Sequence, residues 1–174
     1  MRTEFSKTIQ NPIQFKNQLL IWAQQFREVV FLDSNNFHQK YSNYDCLLAV
    51  DAFTSIKTDY LNAFEDLKQY QQQTKDWMFG YLSYDLKNDT EELQSNNFDG
   101  LQFPDLFFFQ PKKLFLLKGN QLQVLYLRLC DDEFEIDFNE IIECSNFDIS
   151  FPKVTIEQRI SKESYIEKVT TILE

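Results

Sequence analysis

A single turn constrains the fold of this chain more than any other feature of its sequence. Gly119-Asn120 stands between two runs of strand-forming residues, 114–118 and 121–129. A two-residue turn that contains glycine joins antiparallel neighbours, because glycine readily adopts the positive φ that such turns require. We therefore expect a β-hairpin here, and with it a sheet that is at least partly antiparallel.

Other strands and the helices are predicted from hydrophobic periodicity. Apolar and aromatic runs predict strands at residues 29–32, 47–53, 77–84 and 106–109. Apolar residues at helical spacing follow each expected helix start, and these starts are Asn11-Pro12, Asp59, Asp137 and Ser161.

The order of these segments predicts the fold class. Strands and helices do not alternate regularly, as they would in a parallel sheet. The predicted class is α+β, with mainly antiparallel, sandwich-like sheets flanked by helices. The three consecutive rings of residues 107–109 fall on both faces of a strand, so at least one should meet another layer of the molecule or a further domain.

Rare residue types exclude several chemistries. The three glycines are too far apart in sequence to form a phosphate-binding loop. His38 is the single histidine, which excludes a zinc site with several imidazoles, and its polar surroundings predict a solvated loop residue. The three cysteines lack a C-x-x-C spacing, so we expect free thiols in a reducing cytoplasm.

The charge distribution argues against two kinds of partner. The formal net charge is −10, and residues 131–148 contain eight acidic and no basic side chains. Nucleic-acid binding depends on basic side chains that displace counterions, so no nucleic-acid partner is expected. No apolar run approaches the roughly 20 residues of a membrane helix, and the first residues do not form a signal peptide, so no membrane partner is expected either.

Several segments, in this order along the chain, carry a resemblance to a known family. They are Phe31-Leu32-Asp33-Ser34, residues 41–49, residues 77–86, Phe103-Pro104-Asp105-Leu106 with the hairpin after it, and residues 160–166. Together they resemble the N-terminal region of the chorismate-utilising enzymes, in particular component I of aminodeoxychorismate (para-aminobenzoate) synthase. The resemblance implies an N-terminal domain at residues 1–155 and the truncated start of a C-terminal chorismate-binding catalytic domain at residues 156–174.

The resemblance also implies an activity for the full-length protein. Such an enzyme uses Mg²⁺ and aminates chorismate to 4-amino-4-deoxychorismate, for para-aminobenzoate and folate synthesis, with ammonia from a glutamine amidotransferase subunit. The family's metal-binding carboxylates and catalytic lysine belong to motifs downstream of this sequence. We therefore expect this piece to have no catalytic residue, no cofactor and no activity by itself, and to pack against the C-terminal domain.

In related anthranilate synthases, the corresponding N-terminal segments help to hold tryptophan as a feedback inhibitor. The resemblance implies an effector pocket for tryptophan here, in which Asp45 faces the ammonium group, Ser34 faces the carboxylate, and Tyr41 and Tyr44 offer flat faces to the indole. The family's Leu-Leu-Glu-Ser motif has the shorter Asp33 at its third position in this chain. The full candidate set is Leu32, Ser34, Tyr41, Ser42, Asn43, Tyr44 and Asp45.

Alternatives remain open at this level. Serine, asparagine and aspartate are also ordinary turn formers, and tyrosines at the junction of a loop and a strand commonly pack with their hydroxyl in water. An anthranilate or isochorismate synthase would share the same N-terminal region. An acidic interaction domain with no enzymatic parent is the alternative from another class.

Overall fold

A computed structural model describes residues 1–35, 37, 40–91, 93–94, 98–144 and 153–173 of the chain. The strands in this part are β1 (Arg2–Thr8), β2 (Val29–Asp33), β3 (Cys46–Thr58), β4 (Phe79–Leu82), β5 (Leu106–Lys118) and β6 (Gln121–Leu127). The helices are α1 (Pro12–Ala23), α2 (Ala63–Thr74), α3 (Lys87–Thr90), α4 (Phe134–Glu143) and α5 (Lys162–Leu173). The predicted α+β class with mainly antiparallel pairing is confirmed, but the described strands form one sheet rather than sandwich-like sheets.

The six strands form one sheet around two long central strands. The order is β1-β6-β5-β3-β2, and β4 pairs with the first part of β5. All pairings are antiparallel. The register between β3 and β5 shifts between Ala52 and Thr54, opposite Pro111. A bulge of this kind bends a strand and increases its twist, so the sheet changes direction at this point.

One face of the sheet is covered by helices. Trp22 and Leu19 of α1 and Phe134 of α4 belong to the same buried cluster as Phe115 and Tyr126 of the sheet. The Trp22 and Phe115 rings pack edge to face, with centroids 5.5 Å apart. Since burial of one large apolar side chain contributes roughly 1.5–3 kcal/mol, this layer supplies much of the fold's stability.

The opposite face is enclosed mainly by the sheet's own aromatic side chains. Its buried residues include Leu47, Leu114 and Phe109, and Phe79 and Phe107 pack against them. Phe107 and Phe109 thus share one face of β5. Phe108 points to the other side, where it packs against a third cluster containing Ala63 of α2. The prediction that the consecutive rings occupy both faces is confirmed.

Two local predictions are confirmed by backbone contacts. The Asn11 side chain accepts a hydrogen bond from the Gln14 N–H and caps α1, with Pro12 in the first turn. Gly119 has a φ of 57° in the turn between β5 and β6, which is the conformation that favours glycine.

Gly80 is required for a different reason, the close approach of two strands. A Cβ placed on Gly80 of β4 would lie 1.8 Å from the Phe107 carbonyl oxygen of β5. Any side chain at this position would therefore force β4 away from β5. The sequence interpretation of a glycine that permits close backbone approach agrees with this geometry.

Other predicted boundaries were wrong. Residues 106–109 and 114–118 belong to one strand, because the lysines between them find partners within the fold instead of forming a turn. The strand at residues 77–84 is shortened to Phe79–Leu82, and α2 begins at Ala63 rather than after Asp59. The edge strand β1 was not predicted, because its side chains give only a weak apolar alternation.

Asp137 is the most informative error. It was expected to cap a helix, but α4 begins at Phe134 and Asp137 lies buried within it. Its carboxylate accepts hydrogen bonds from Lys113 and Tyr126, so tertiary pairing rather than capping explains the residue.

None of the described helices combines the length and apolar character needed to cross a membrane. His38 lies outside the described residues. The division of the chain at residue 155 stays a prediction.

Candidate functional site

Two of the predicted effector residues meet in a cleft between β2, α1 and the β5–β6 turn. Ser34 follows β2 and Asp45 precedes β3, and the Ser34 N–H donates to the Asp45 carbonyl at 2.9 Å. The cleft has a volume of about 340 Å³, near the lower end of the range for small-molecule sites. We call it the Ser34–Asp45 cleft, and its lining residues are Pro12, Ile13, Lys16, Ser34, Phe37, Asp45 and Gly119.

Asp45 is held as a carboxylate by the adjacent turn. Its Oδ2 accepts from the Gly119 N–H at 2.7 Å, and its Oδ1 accepts from the Lys118 ammonium at 3.1 Å. The Gly119 hydrogen bond, with help from Lys118, lowers the pKa of Asp45 below its usual value. A negative charge therefore stands at one side of the cleft.

Lys16 supplies a positive charge at the cleft, as part of a second ion pair with Asp33. The Lys16 ammonium of α1 lies 2.8 Å from Oδ1 of Asp33, and the Asn35 N–H donates to the same oxygen at 2.8 Å. Burial alone would raise the pKa of Asp33, but these two donors hold it below its usual value. The Lys16 side chain lines the cleft and is only 14% exposed, and its ammonium is paired with the Asp33 carboxylate.

The start of α1 adds to the positive side of the cleft. Pro12 and Ile13 line the cleft, and they occupy the first turn of a twelve-residue helix. Pro12 has no N–H and the Gln14 N–H donates to the Asn11 side chain, so the first turn contributes the Ile13 N–H and the partial positive charge of the helix end. The cleft is thus lined by the Asp45 carboxylate, by the Lys16 ammonium in its ion pair with Asp33, and by the N-terminus of α1.

The remaining predicted residues do not join this cleft. Tyr44 packs against the aromatic-rich face of the sheet, opposite α1. Leu32 pairs with Leu47 of that face and is 54% exposed. Tyr41 is 84% exposed, and Asn43 is also exposed. The Ser42 hydroxyl donates to the Tyr44 carbonyl at 2.6 Å and stabilises the loop.

Sequence reasoning missed five of the seven residues that line the cleft, namely Pro12, Ile13, Lys16, Phe37 and Gly119. Lys16, Ile13 and Gly119 come from elements distant from Ser34 in sequence. The helical pattern of α1 predicts that Lys16 lies beside the apolar stripe. This position does not reveal the ion-pair partner of Lys16. Only the packing of α1 against the sheet places this lysine beside Asp33.

The described residues offer no metal centre and no activated thiol. None of their histidine, cysteine, aspartate or glutamate side chains form a group that could hold a metal ion, so the Mg²⁺ implied by the resemblance has no ligand set in this part of the chain. Burial raises the pKa of Cys46 to about 12. Burial also raises the pKa of Cys130 and Cys144, so these thiols stay protonated and unreactive at neutral pH.

The chain matches no protein-family model and no curated protein.

Proposed function

We propose that this chain is the non-catalytic N-terminal domain of a chorismate-utilising enzyme similar to component I of aminodeoxychorismate synthase, and that the Ser34–Asp45 cleft binds an amino-acid effector. The observation that carries the effector proposal is the presence of both signs of charge in a cleft of about 340 Å³. A free amino acid needs both, because it is a zwitterion at neutral pH.

The charges assign an orientation to the bound amino acid. Its ammonium group faces the Asp45 carboxylate, and its carboxylate faces Lys16 and the first turn of α1. Ser34 also lines the cleft and offers a hydroxyl to the ligand. Charge-assisted hydrogen bonds of this kind are about twice as strong as neutral ones, which favours an amino acid over a neutral molecule of the same size.

The proposed enzyme requires partners. The C-terminal chorismate-binding domain would supply Mg²⁺ ligands and chemistry, and a glutamine amidotransferase would supply ammonia. Exposed apolar side chains on α5, among them Ile166 and Ile172, support packing against further protein. We place the full-length enzyme in the cytoplasm.

Calorimetric titration with L-tryptophan tests the effector proposal. We expect saturable binding to the wild-type chain, and a loss of roughly tenfold in affinity for Lys16→Met because the carboxylate partner is removed. Lys68→Met is the matched control, since Lys68 lies on the exposed face of α2 and should leave binding unchanged.

Two fragments of tryptophan sharpen this test. Tryptamine lacks the carboxylate and indole-3-propionate lacks the ammonium group, so both should bind more weakly than tryptophan itself. No heat and no rise in melting temperature at millimolar tryptophan would contradict the effector proposal.

The purified chain is expected to convert no chorismate when Mg²⁺ and ammonium are supplied, because the family's catalytic groups are proposed to lie in the C-terminal domain. Chromatography of the reaction mixture measures whether product forms. Turnover by the chain alone would refute the non-catalytic assignment. Reading the gene downstream of the Glu174 codon for the catalytic carboxylates and lysine tests the family assignment independently.

A further inference from the structure

A second cleft, of about 630 Å³, lies between the edge strands β2 and β4. We call it the aromatic cleft. It shares no lining residue with the Ser34–Asp45 cleft and lies at the other end of β2. Its most informative lining residues are Arg27, Val30, Lys57, Tyr81, Phe103 and Phe107.

Three rings form one wall of the aromatic cleft. Tyr81 stands between the other two, with its centroid 6.3 Å from Phe103 at an interplanar angle of 66° and 6.0 Å from Phe107 at 58°. These rings meet at inclined angles, which leaves edges and faces available to a further ring. Val30 of β2 also lines the cleft. The geometry therefore suits a flat aromatic group.

Lys57 provides a cation beside this wall. Its ammonium lies 4.8 Å from the Phe107 ring centroid and has no ion-pair partner within 4 Å among the described residues. By contrast, Lys112 and Lys118 each form an ion pair with an aspartate. Lys57 also lines an adjoining pocket with Asp59, Asp85, Asp99 and Asp105, but it forms an ion pair with none of them. An ammonium over an aromatic surface that forms no ion pair is complementary to an anion.

Arg27 is the second cationic residue at the cleft, and its ion pair is weak. The Arg27 side chain is 85% exposed and lies 3.6 Å from Glu28, which is a loose surface pair. Glu28 is the single acidic residue that lines the cleft, and this contact offsets its charge. The charge available to a ligand inside the cleft is therefore that of Lys57.

We propose that the aromatic cleft binds a planar aromatic carboxylate, with its ring against Tyr81 and Phe107 and its carboxylate on the Lys57 ammonium. This site is independent of the family assignment and of the amino-acid effector. The ligand class follows from the combination of three rings, an apolar edge strand and one unpaired cation.

Two probes with the same ring and opposite charge test this proposal. We expect 2-naphthylacetate to bind the wild-type chain at least roughly tenfold more tightly than 2-(2-naphthyl)ethylamine, as measured by calorimetry at neutral pH. Lys57→Met should abolish the preference for the anion, and Lys57→Arg should retain it. Lys68→Met is the matched control on α2 and should change neither affinity.

The aromatic wall is tested at its exposed member. Phe103 is 66% exposed, so Phe103→Ala should fold normally and weaken both probes several-fold. Leu101→Ala removes another exposed apolar side chain nearby in sequence, outside the cleft, and should have no effect. Equal affinities for the two probes, an unchanged preference in Lys57→Met, or no saturable binding would each overturn the proposal. Lys57→Met should still bind tryptophan in the Ser34–Asp45 cleft. A titration of this variant with tryptophan therefore tests the effector proposal separately from the aromatic cleft.

Discussion

Replacing Asp137 by alanine is expected to lower the free energy of unfolding by about 3 kcal/mol, because the substitution leaves a buried ammonium group with half of its partners. The Lys113 side chain is only 4% exposed, and its Nζ lies 2.5 Å from Asp137 and 2.7 Å from Glu133. Asp137 also accepts the Tyr126 hydroxyl at 2.7 Å. One carboxylate therefore satisfies two buried donors.

The surroundings of Lys113 explain why this pair is stable. The ammonium lies within 6 Å of the ring centroids of Trp22, Phe26 and Tyr126. Burial by itself would lower the pKa of Lys113, but the two carboxylates raise it above the usual value. Burial, and then the charge of Asp137, raise the pKa of Tyr126, so its hydroxyl stays a donor.

Urea unfolding measures the effect, and a double variant separates charge from packing. Lys113→Met combined with Asp137→Leu removes both charges and should recover much of the stability lost in either single variant. Lys68→Met breaks an exposed pair with Glu65 and should cost no more than about 0.5 kcal/mol. A loss in Asp137→Ala no greater than in this control would show that the buried pair contributes nothing specific.

Arg2→Met is expected to lower the free energy of unfolding by about 3 kcal/mol. The substitution removes the guanidinium donors and leaves their carboxylate and carbonyl acceptors without a partner. The Arg2 Nε donates to both carboxylate oxygens of Asp76, at 2.9 and 3.1 Å. Its Nη atoms donate to the carbonyls of Pro111, Lys112 and Leu125. The side chain thus satisfies backbone oxygens of β5 beside the bulge and one backbone oxygen of β6.

The Arg2 contribution depends on pH through Asp76. Burial alone would raise the pKa of Asp76, but hydrogen bonds from Arg2 and Gln110 hold it below its usual value. A carboxyl group whose pKa is lower in the folded state than in the unfolded state stabilises the fold. Its full contribution is present above the unfolded-state pKa of about 3.9, and it is lost as the pH falls through the folded-state pKa. The difference in unfolding free energy between wild type and Arg2→Met should therefore narrow as the pH falls below the unfolded-state pKa of about 3.9.

Two further variants make the Arg2 experiment specific. Arg2→Lys keeps the charge but lacks the planar fork, so its unfolding midpoint in urea should fall between those of wild type and Arg2→Met. Arg128→Met alters an exposed arginine and should change stability little. An Arg2→Met variant as stable as Arg128→Met at neutral pH would contradict the expected role.

Local signals predicted the elements that local physics controls. The Gly119-Asn120 turn and the capped start of α1 depend on the conformations of neighbouring residues, and both are present as expected. The continuity of β5 was not predictable in the same way. Pro111 and Lys113 look like an interruption until the Arg2 side chain and the Asp137 carboxylate, both remote in sequence, are placed beside them.

The candidate site divides along the same line. The sequence alone placed Ser34 after one predicted strand and Asp45 before the next. The pairing of β2 with β3, which the structure shows, brings the two residues together. The sequence prediction included Leu32 and Tyr44 in the effector pocket, and only the structure separates them from the cleft. The tertiary structure decided that Lys16 and Gly119 complete it, and that Lys57 stands beside an aromatic wall. Charges find partners through the packing of distant elements, and no spacing along the chain encodes which elements will meet.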